Sequence, residues 1–412
     1  MSHFGKVGLS DGPNLDAFSR LRVSDPSYAF DAQLTYDLAP LQFEQLTSGT
    51  GATITHDSTN RCASLALSSS PTGAYAYMQT YEWIRYQPGR SQAFFITFSF
   101  GSGVADVLKF AGIGTNANGI RFELAGSQPR IVLYSDTDHG DEIVNQDDWN
   151  LDTMDGNGGS ANPSGLLLDA TKMQILAIDF QALYAGRVRV GFDIGGQLIY
   201  VHEFNHANID SSPYIQNASL PIQAGLQYTG GTTATASMKF ICCSAISEGG
   251  QQEVGGYSFS YEATGTAASG ADTHILSLRP RTTFNSIANR SKMVLDSIDI
   301  VVTGNFPVAW YLAIGQAISG TTTFNDVNAT YSAVEYNTAG TLSGSPAIVL
   351  MRGYVPSSGS VRGTSEKAVT ARYPITLDAA GAARALGTLS VVAQGIGGAP
   401  GLRVSANWRE IR

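Results

Sequence analysis

Residues 187–206, RVRVGFDIGGQLIYVHEFNH, constrain the fold more than any other stretch, because they alternate with period two around a two-residue turn. Apolar residues recur at every second position before and after Gly195-Gly196. A Gly-Gly pair tolerates positive φ and is typical of a β-hairpin. Alternate residues of a strand lie on one face. The stretch therefore predicts two antiparallel strands with one buried face.

The second arm of this hairpin matches the zinc-protease signature H-E-x-x-H at His202, Glu203 and His206. The signature requires a helix, in which residues four apart lie about 5–6 Å from each other and can share one metal. On a strand the two histidines are about 13 Å apart, and Glu203 points to the opposite face. The flanking pattern therefore favours strand histidines over a zinc site.

The same alternation recurs along the chain, and helical periodicity is nearly absent. Residues 46–248 contain roughly nine or ten predicted strands, and a second strand-rich unit is predicted at 272–412. The Gly-, Ser- and Ala-rich residues 249–271 are predicted to be a linker. We predict an all-β protein with two antiparallel β-sandwich domains of jelly-roll or lectin-like type.

Residues 1–45 are predicted to form an extended N-terminal arm, because Gly, Pro and Asn interrupt regular structure and apolar anchors follow. Such an arm is expected to pack on its own sandwich or on a neighbouring subunit, by adding a strand to an exposed edge. The alternative is a loosely ordered tail. The predicted docking residues are Phe18, Arg20, Leu21, Arg22, Val23, Tyr28 and Phe30.

Composition excludes several classes of function. The net charge is −9 and only 14% of residues are charged, which argues against nucleic-acid binding through basic stripes. The chain has three cysteines, too few for a disulfide framework, so free thiols are expected. The N-terminal sequence has no apolar core of an export signal, and no apolar run is long enough to span a membrane.

Metal and cofactor sites have little support in the sequence. Residues 136–155 contain eight carboxylates and no Lys or Arg. Calcium takes six to eight oxygen ligands, which makes Asp136, Asp138 and Asp141 its candidates, although the spacing is not that of an EF-hand. The alternative is a solvated acidic loop. We predict no bound metal and no cofactor.

Catalytic signatures are also missing from the sequence. No serine lies in a G-x-S-x-G turn, and no repeat of fixed period indicates a β-helix. A carboxylate pair for glycan cleavage depends on a spatial separation that sequence does not reveal. Exposed aromatic rings could instead stack on sugars, with core or interface packing as the alternative. The stacking candidates are Tyr75, Tyr77, Trp83 and Trp149.

Four stretches resemble virion structural proteins of tailed bacteriophages. They are FSRLRVSDPSYAFDAQLTYD (18–37), YEWIRYQPGRSQAFFITFSFG (81–101), GRVRVGFDIGGQLIYVHEFNHAN (186–208) with LPIQAGLQY (220–228), and SLRPRTTFNSIANR (277–290). The resemblance implies a lectin-like sandwich behind the arm, and no catalytic residues to carry over. It further implies assembly in the host cytoplasm, a location in the virion, and other virion proteins as partners.

From these observations we expect a non-enzymatic structural component of a phage virion, either a capsid decoration or a neck or tail appendage. It would assemble as a homo-oligomer through its arm and its sandwich faces, without nucleic acid or membrane insertion. The alternative is a glycan-binding module of a tail fibre or spike that recognises host surface polysaccharide.

Overall fold

The computed structural model contains β-strands and two short 3-10 helices, with no α-helix in the part of the chain that it describes. The described residues are 12, 14–23, 25–68, 72–181, 183–231, 234–248, 256–357, 366–367 and 375–412. No helix within these ranges has the length and hydropathy of a membrane-spanning segment. The all-β prediction is confirmed, and the three cysteines are unbridged. The chain forms two compact units, Met1–Gln252 and Glu253–Arg412.

The described part of unit 1 contains fifteen strands and the 3-10 helix Gln146–Asp148. The strands are β1 (Ser27–Gln33), β2 (Phe43–Ser48), β3 (Thr53–Asp57), β4 (Cys62–Leu67), β5 (Tyr75–Thr80), β6 (Gln92–Ser99), β7 (Val107–Gly114), β8 (Asn118–Ala125), β9 (Gln128–Ser135), β10 (Glu142–Asn145), β11 (Gln174–Phe180), β12 (Val188–Ile194), β13 (Gln197–Phe204), β14 (Ile222–Tyr228) and β15 (Ala236–Ser247).

Unit 1 is a sandwich of two antiparallel sheets. Sheet 1 has the order β13-β12-β11-β6-β15-β4-β3, with β1 also paired to β15, and sheet 2 has the order β10-β9-β8-β7-β14-β5-β2. Alternate residues of both sheets point into one core, where Phe100 and Phe122 stack at 5.3 Å and Phe192 meets Phe122 edge-on at 5.0 Å. Large aromatic side chains at every second position therefore drive the two sheets together.

The predicted hairpin is β12 and β13. Gly195 and Gly196 have φ values of 67° and 82°, which the turn requires and which glycine adopts without strain. His202 and Glu203 lie in β13, and His206 lies two residues beyond its end. The H-E-x-x-H sequence is therefore on a strand and does not form the helical zinc motif.

The N-terminal segment packs on its own unit. β1 pairs with β15, and the Phe30 side chain enters the core. Before β1, the Leu15 carbonyl accepts a hydrogen bond from Arg189 Nη2 at 2.8 Å. Of the predicted docking residues, Arg20 pairs with Asp16 of the same segment, and Arg22 contacts sheet 1. Phe18 is half-buried, and the exposed side chains are Leu21, Val23 and Tyr28.

The described part of unit 2 contains fourteen strands and the 3-10 helix Ala385–Gly387. The strands are β16 (Tyr257–Thr266), β17 (Thr273–Pro280), β18 (Thr283–Phe284), β19 (Ile287–Ala288), β20 (Lys292–Val302), β21 (Val308–Ile314), β22 (Ile318–Gly320), β23 (Asn325–Asp326), β24 (Val334–Asn337), β25 (Gly340–Leu342), β26 (Ile348–Val355), β27 (Glu366–Lys367), β28 (Leu389–Gly395) and β29 (Gly401–Ile411).

Unit 2 is a second antiparallel sandwich. One sheet has the order β16-β29-β20-β27 and the other β23-β24-β17-β28-β21-β26, and both supply residues such as Trp408 and Leu312 to one core. The structure corrects the predicted linker in part. Its Tyr257–Thr266 segment is β16, which pairs with β29 along its whole length, whereas residues 249–255 lie outside the described ranges. The linker was inferred from its Gly, Ser and Ala content. Composition does not reveal the alternation of aromatic and polar residues in YSFSYEA, which is typical of a strand.

Candidate functional site

The outer face of sheet 2, opposite the core, carries polar and aromatic side chains on five adjacent strands. On β8, Ile120 and Phe122 enter the core, so Arg121 and Glu123 point to the outer face. Core-facing and outer-facing residues alternate in the same way on β5, β7, β9 and β14. We call this set of side chains the platform: Tyr75, Tyr77, Gln79, Phe110, Arg121, Glu123, Arg130, Tyr134 and Gln223.

A row of hydrogen-bonded polar groups crosses the middle of the platform. Arg121 Nη2 donates to Gln223 Oε1 at 2.5 Å, and Gln223 Nε2 donates to Gln79 Oε1. Arg121 Nη1 donates to Asn116 Oδ1 at 2.7 Å. A Cβ at Gly112 would lie 2.3 Å from the Ile120 carbonyl oxygen and 2.9 Å from Arg121 Cγ. Glycine at this position of β7 therefore allows the close approach of β8 and of the Arg121 side chain.

The guanidinium of Arg121 is buried among neutral partners. Its side chain lies over the rings of Phe110 and Tyr134, 4.6 and 5.1 Å from their centroids. Within the described residues Arg121 forms no ion pair, and its Nε has no hydrogen-bond partner. Burial lowers the pKa of Arg121. The nearby charge of Glu123 partly offsets this effect, but Glu123 is paired with Arg130, and the hydrogen bonds of Arg121 go to neutral amides.

A carboxylate and a phenol lie beside this cation. Glu123, which is fully buried, accepts from Arg130 Nε at 2.9 Å and from the Tyr134 hydroxyl at 2.8 Å. Burial, and then the negative charge of Glu123, raise the pKa of Tyr134. The Tyr134 hydroxyl hydrogen points at Glu123. Tyr134 can therefore give this proton to the Glu123 carboxylate while its oxygen accepts a proton from another group.

Aromatic rings form one side of the platform. Tyr75 and Tyr77 are half-buried with ring centroids 5.2 Å apart, and Tyr77 lies 6.1 Å from Phe110. Two of the four predicted stacking residues are therefore here. Trp149 packs in the core instead, 6.3 Å from the Phe122 ring, and only 4% of it is exposed. Trp83 is half-buried in the loop after β5.

The platform does not provide a pair of neighbouring carboxylates. In the described strands of sheet 2, the outer-facing carboxylates are Glu44 on β2 and Glu123 on β8. Four strand spacings separate them, about 19 Å at 4.8 Å each. Glycosidases that use two carboxylates place them about 5–9.5 Å apart. The platform residues therefore do not support the two-carboxylate mechanism.

The three calcium candidates of the acidic loop have different surroundings. Asp136 and Asp138 are exposed, and Asp141 Oδ1 accepts a hydrogen bond from the Ser135 backbone at 2.9 Å. Within the described ranges, the three calcium candidates belong to no cluster of metal-ligating side chains. His202 is also occupied locally, because its Nδ1 accepts from the Asn150 backbone N–H at 3.2 Å.

Comparison with known proteins found similarity among solved structures. No protein-family model and no curated protein matches the chain. A glycosyl hydrolase family protein from Mycobacterium fortuitum is 13% identical, with a TM-score of 0.34, over 53% of this chain and 99% of that chain. The Crh5 transglycosylase is 12% identical, with a TM-score of 0.33, over 55% and 88%. A family 7 alginate lyase in complex with substrate is 10% identical, with a TM-score of 0.36, over 54% and 99%.

These comparisons contradict the prediction of a non-enzymatic structural component of a virion, together with its alternative, a glycan-binding module of a tail fibre. The similar structures are named as a hydrolase, a transglycosylase and a lyase. That prediction rested on local signatures, whereas the platform assembles single residues from strands far apart in sequence. At such low identity the likeness concerns the fold, and an activity has to be argued from this chain's own residues.

Proposed function

We propose that unit 1 is a carbohydrate-active enzyme that binds an acidic polysaccharide on the platform and cleaves it by β-elimination. The observation that carries this proposal is the buried Arg121 guanidinium, which is held by the neutral amides of Asn116 and Gln223. A buried cation without a paired carboxylate is costly. Glu123 is paired with Arg130, so the two arginines exceed it by one positive charge, and a uronate carboxylate of the substrate balances that charge.

The aromatic side of the platform supports a sugar chain as the ligand. Tyr75 and Tyr77 present partly exposed rings next to the polar row. Sugar-binding sites combine such apolar ring faces with a few placed polar groups. The extended arrangement across several strands suits a polymer better than a small molecule. The amides of the row offer donors and acceptors to the sugar hydroxyls and the carboxylate.

The chemistry follows from the groups around Arg121. Pairing of the uronate carboxylate with Arg121 makes the neighbouring ring C–H more acidic. Tyr134 takes this proton as its own hydroxyl proton passes to Glu123, which lies 2.8 Å away. A C=C bond forms in the ring and the glycosidic C–O bond breaks. The same Tyr134–Glu123 pair returns a proton to the leaving oxygen, so protons and electrons balance.

Elimination and hydrolysis give different products, which makes the proposal testable. The full chain is incubated with acidic polysaccharides (alginate, polygalacturonate and hyaluronan) and with a neutral β-glucan. Elimination releases unsaturated uronates that absorb in the ultraviolet, together with reducing ends. We expect both signals on an acidic polymer. Reducing ends without ultraviolet absorbance, or no depolymerisation of any polymer, would contradict the proposal.

Matched variants locate the chemistry. Tyr134→Phe keeps the ring beside Arg121 and removes the proton relay, so we expect a rate loss of about 10²–10⁴-fold with retained binding. Arg121→Met removes the counter-charge and is expected to abolish activity on acidic polymers. Tyr228→Phe is the control, because this buried tyrosine lies outside the platform. Equal rates for Tyr134→Phe and the control would refute the assigned role.

The relation to tailed-phage virion proteins stays a prediction from the sequence, as do the virion location, the virion partners and the homo-oligomer. We propose that, if the chain is part of a particle, unit 1 supplies its activity toward surface polysaccharide. Immunodetection in purified particles, with and without residues 1–40 of the chain, tests that placement.

A further inference from the structure

Three potential metal ligands from separate parts of unit 1 meet at the edge of the sandwich. His139 lies in the loop after β9, Glu142 is the first residue of β10, and His206 follows the end of β13. Their ligand atoms all lie within 4.8 Å of one another. β10 and β13 are edge strands of sheet 2 and sheet 1. The cluster therefore lies where the edges of the two sheets approach.

Both histidines are oriented by backbone carbonyls. His139 Nδ1 lies 2.8 Å from the Gly140 oxygen, and His206 Nδ1 lies 2.8 Å from the Gly186 oxygen. A carbonyl oxygen only accepts, so each Nδ1 carries a hydrogen, and Nε2 is the ring atom left to bind a metal. This arrangement is typical of histidines that bind a metal through Nε2.

His206 Nε2 is a buried nitrogen whose contact with Glu142 Oε1, at 3.5 Å, is too long for a well-formed hydrogen bond. The residue is 2% exposed, and within the described ranges this atom has no hydrogen-bond partner. Its ring is fixed by stacking on Tyr214, with centroids 4.0 Å apart and planes at 11°. A buried polar atom left unsatisfied costs free energy and calls for an unseen partner. The nitrogen points into the cluster, toward Glu142.

Two spacings within the cluster match those of a tetrahedral zinc site. Glu142 Oε1 lies 3.4 Å from His139 Nε2 and 3.5 Å from His206 Nε2. Asp210 Oδ2 lies 3.3 Å from His139 Nε2, but it does not belong to the set of ligand atoms that all lie within 4.8 Å of one another. Zinc with bonds of about 2.0–2.1 Å separates its tetrahedral ligands by about 3.3 Å. The distances from Glu142 to the two histidines therefore fit a zinc-sized ion, and Asp210 has to move to reach it.

We propose that unit 1 binds one divalent transition metal of the zinc type through His139, Glu142 and His206, and that the Asp210 side chain turns toward the ion to complete the ligand set. Two imidazoles and two carboxylates favour zinc over calcium, which prefers oxygen ligands. The Glu142 and Asp210 side chains are 40% and 23% exposed, so the ion can reach the site from solvent. The metal joins the edge of sheet 2 to the segment after β13 and acts structurally.

Metal binding to the full chain tests this proposal. The protein is stripped with a chelator and titrated with Zn²⁺ or Ca²⁺ alone, and bound metal is measured by calorimetry and elemental analysis. We expect one Zn²⁺ per chain, no displacement by Ca²⁺, and a higher melting temperature with zinc. Zinc that binds no more tightly than calcium, or that binds without raising the melting temperature, would overturn the proposal.

Variants separate this cluster from the H-E-x-x-H sequence. His139→Gln and Asp210→Asn change partly accessible side chains and leave the core intact, and we expect zinc affinity to fall at least about 10-fold in each. His202→Asn is the matched control, because His202 belongs to the motif and not to the cluster. If His202→Asn weakened zinc binding as much as His139→Gln, the assignment would be wrong. The platform variants Tyr134→Phe and Arg121→Met should bind zinc normally, so the two proposals can fail separately.

Discussion

Replacing Asp179 with asparagine tests how the N-terminal segment is held on sheet 1. The Asp179 side chain is 1% exposed, and its Oδ2 accepts from Arg22 Nη2 at 2.5 Å, Arg189 Nη2 at 2.6 Å and the Tyr200 hydroxyl at 2.9 Å. Its Oδ1 accepts from Ser91 Oγ at 2.6 Å. One carboxylate thus neutralises two arginines, one of which belongs to the segment before β1.

The size of the effect follows from burial. Removing one partner of a buried ion pair costs about 3–5 kcal/mol, because a charge stays behind without compensation. Arg22 keeps Glu248, whose Oε1 lies 3.3 Å from its Nε, whereas Arg189 is 1% exposed and loses the Asp179 carboxylate. We therefore expect a loss of about 3–4 kcal/mol. For a unit of this size 1 kcal/mol corresponds to about 2–4 °C, so the melting temperature should fall by about 10 °C.

Thermal unfolding followed by calorimetry measures this change in the wild type, Asp179→Asn, Arg22→Met and the double variant. Arg22→Met should cost less than Asp179→Asn, because 18% of the Arg22 side chain is exposed. Their effects should be coupled by about 1–3 kcal/mol, since the two groups are in contact. A fall of less than about 2 °C for Asp179→Asn, or strictly additive effects, would refute this account of how the segment is held.

Three further changes have defined outcomes. Burial lowers the pKa of His202 from 6.5 to about 4, so the stability that neutral His202 contributes is present above pH of about 6.5 and is lost as pH falls toward 4. In urea denaturation with chelator present, His202→Asn should therefore reduce the dependence of the unfolding free energy on pH in this range. An unchanged pH dependence would contradict this expectation. In Gly225→Ala the new Cβ would lie 2.1 Å from Tyr77 Cβ, so we expect the free energy of unfolding to fall by about 1–3 kcal/mol. Polysaccharide binding measured by calorimetry should also weaken, and unchanged affinity would argue against Tyr77 as a sugar contact. Lys109→Met removes the ammonium that donates hydrogen bonds to three backbone carbonyls. We expect the free energy of unfolding, measured by denaturant titration, to fall by about 2–4 kcal/mol, and a fall of less than about 1 kcal/mol would refute this expectation.

The sequence predicted features that depend on neighbouring residues. Alternation and the Gly195-Gly196 pair indicated β12 and β13, because strand period and turn geometry are local. The same local argument explains why the H-E-x-x-H histidines do not form a helical metal site. Trp149 was misplaced by reasoning of this kind, since a polar loop around it suggested exposure, whereas its ring completes the core beside Phe122.

The candidate sites could not be predicted in the same way, because they depend on which strands become neighbours. Gln79 and Gln223 are 144 positions apart and meet only through the pairing of β5 with β14. His139 and His206 are brought together by the edges of two different sheets. Sheet order is a long-range property that alternation does not encode. The one available signal was the location of His139 and Glu142 in a stretch crowded with carboxylates.

The pairing of β1 with β15 has a consequence for how unit 1 is made in the cell. Gln33 pairs with Cys242, roughly 200 positions later in the chain. At a translation rate of about 5–20 residues per second, β1 waits on the order of 10–40 s before its partner strand leaves the ribosome. During this interval the nascent chain exposes Phe30 and an unpaired backbone, so this segment is prone to aggregation until β15 is synthesised.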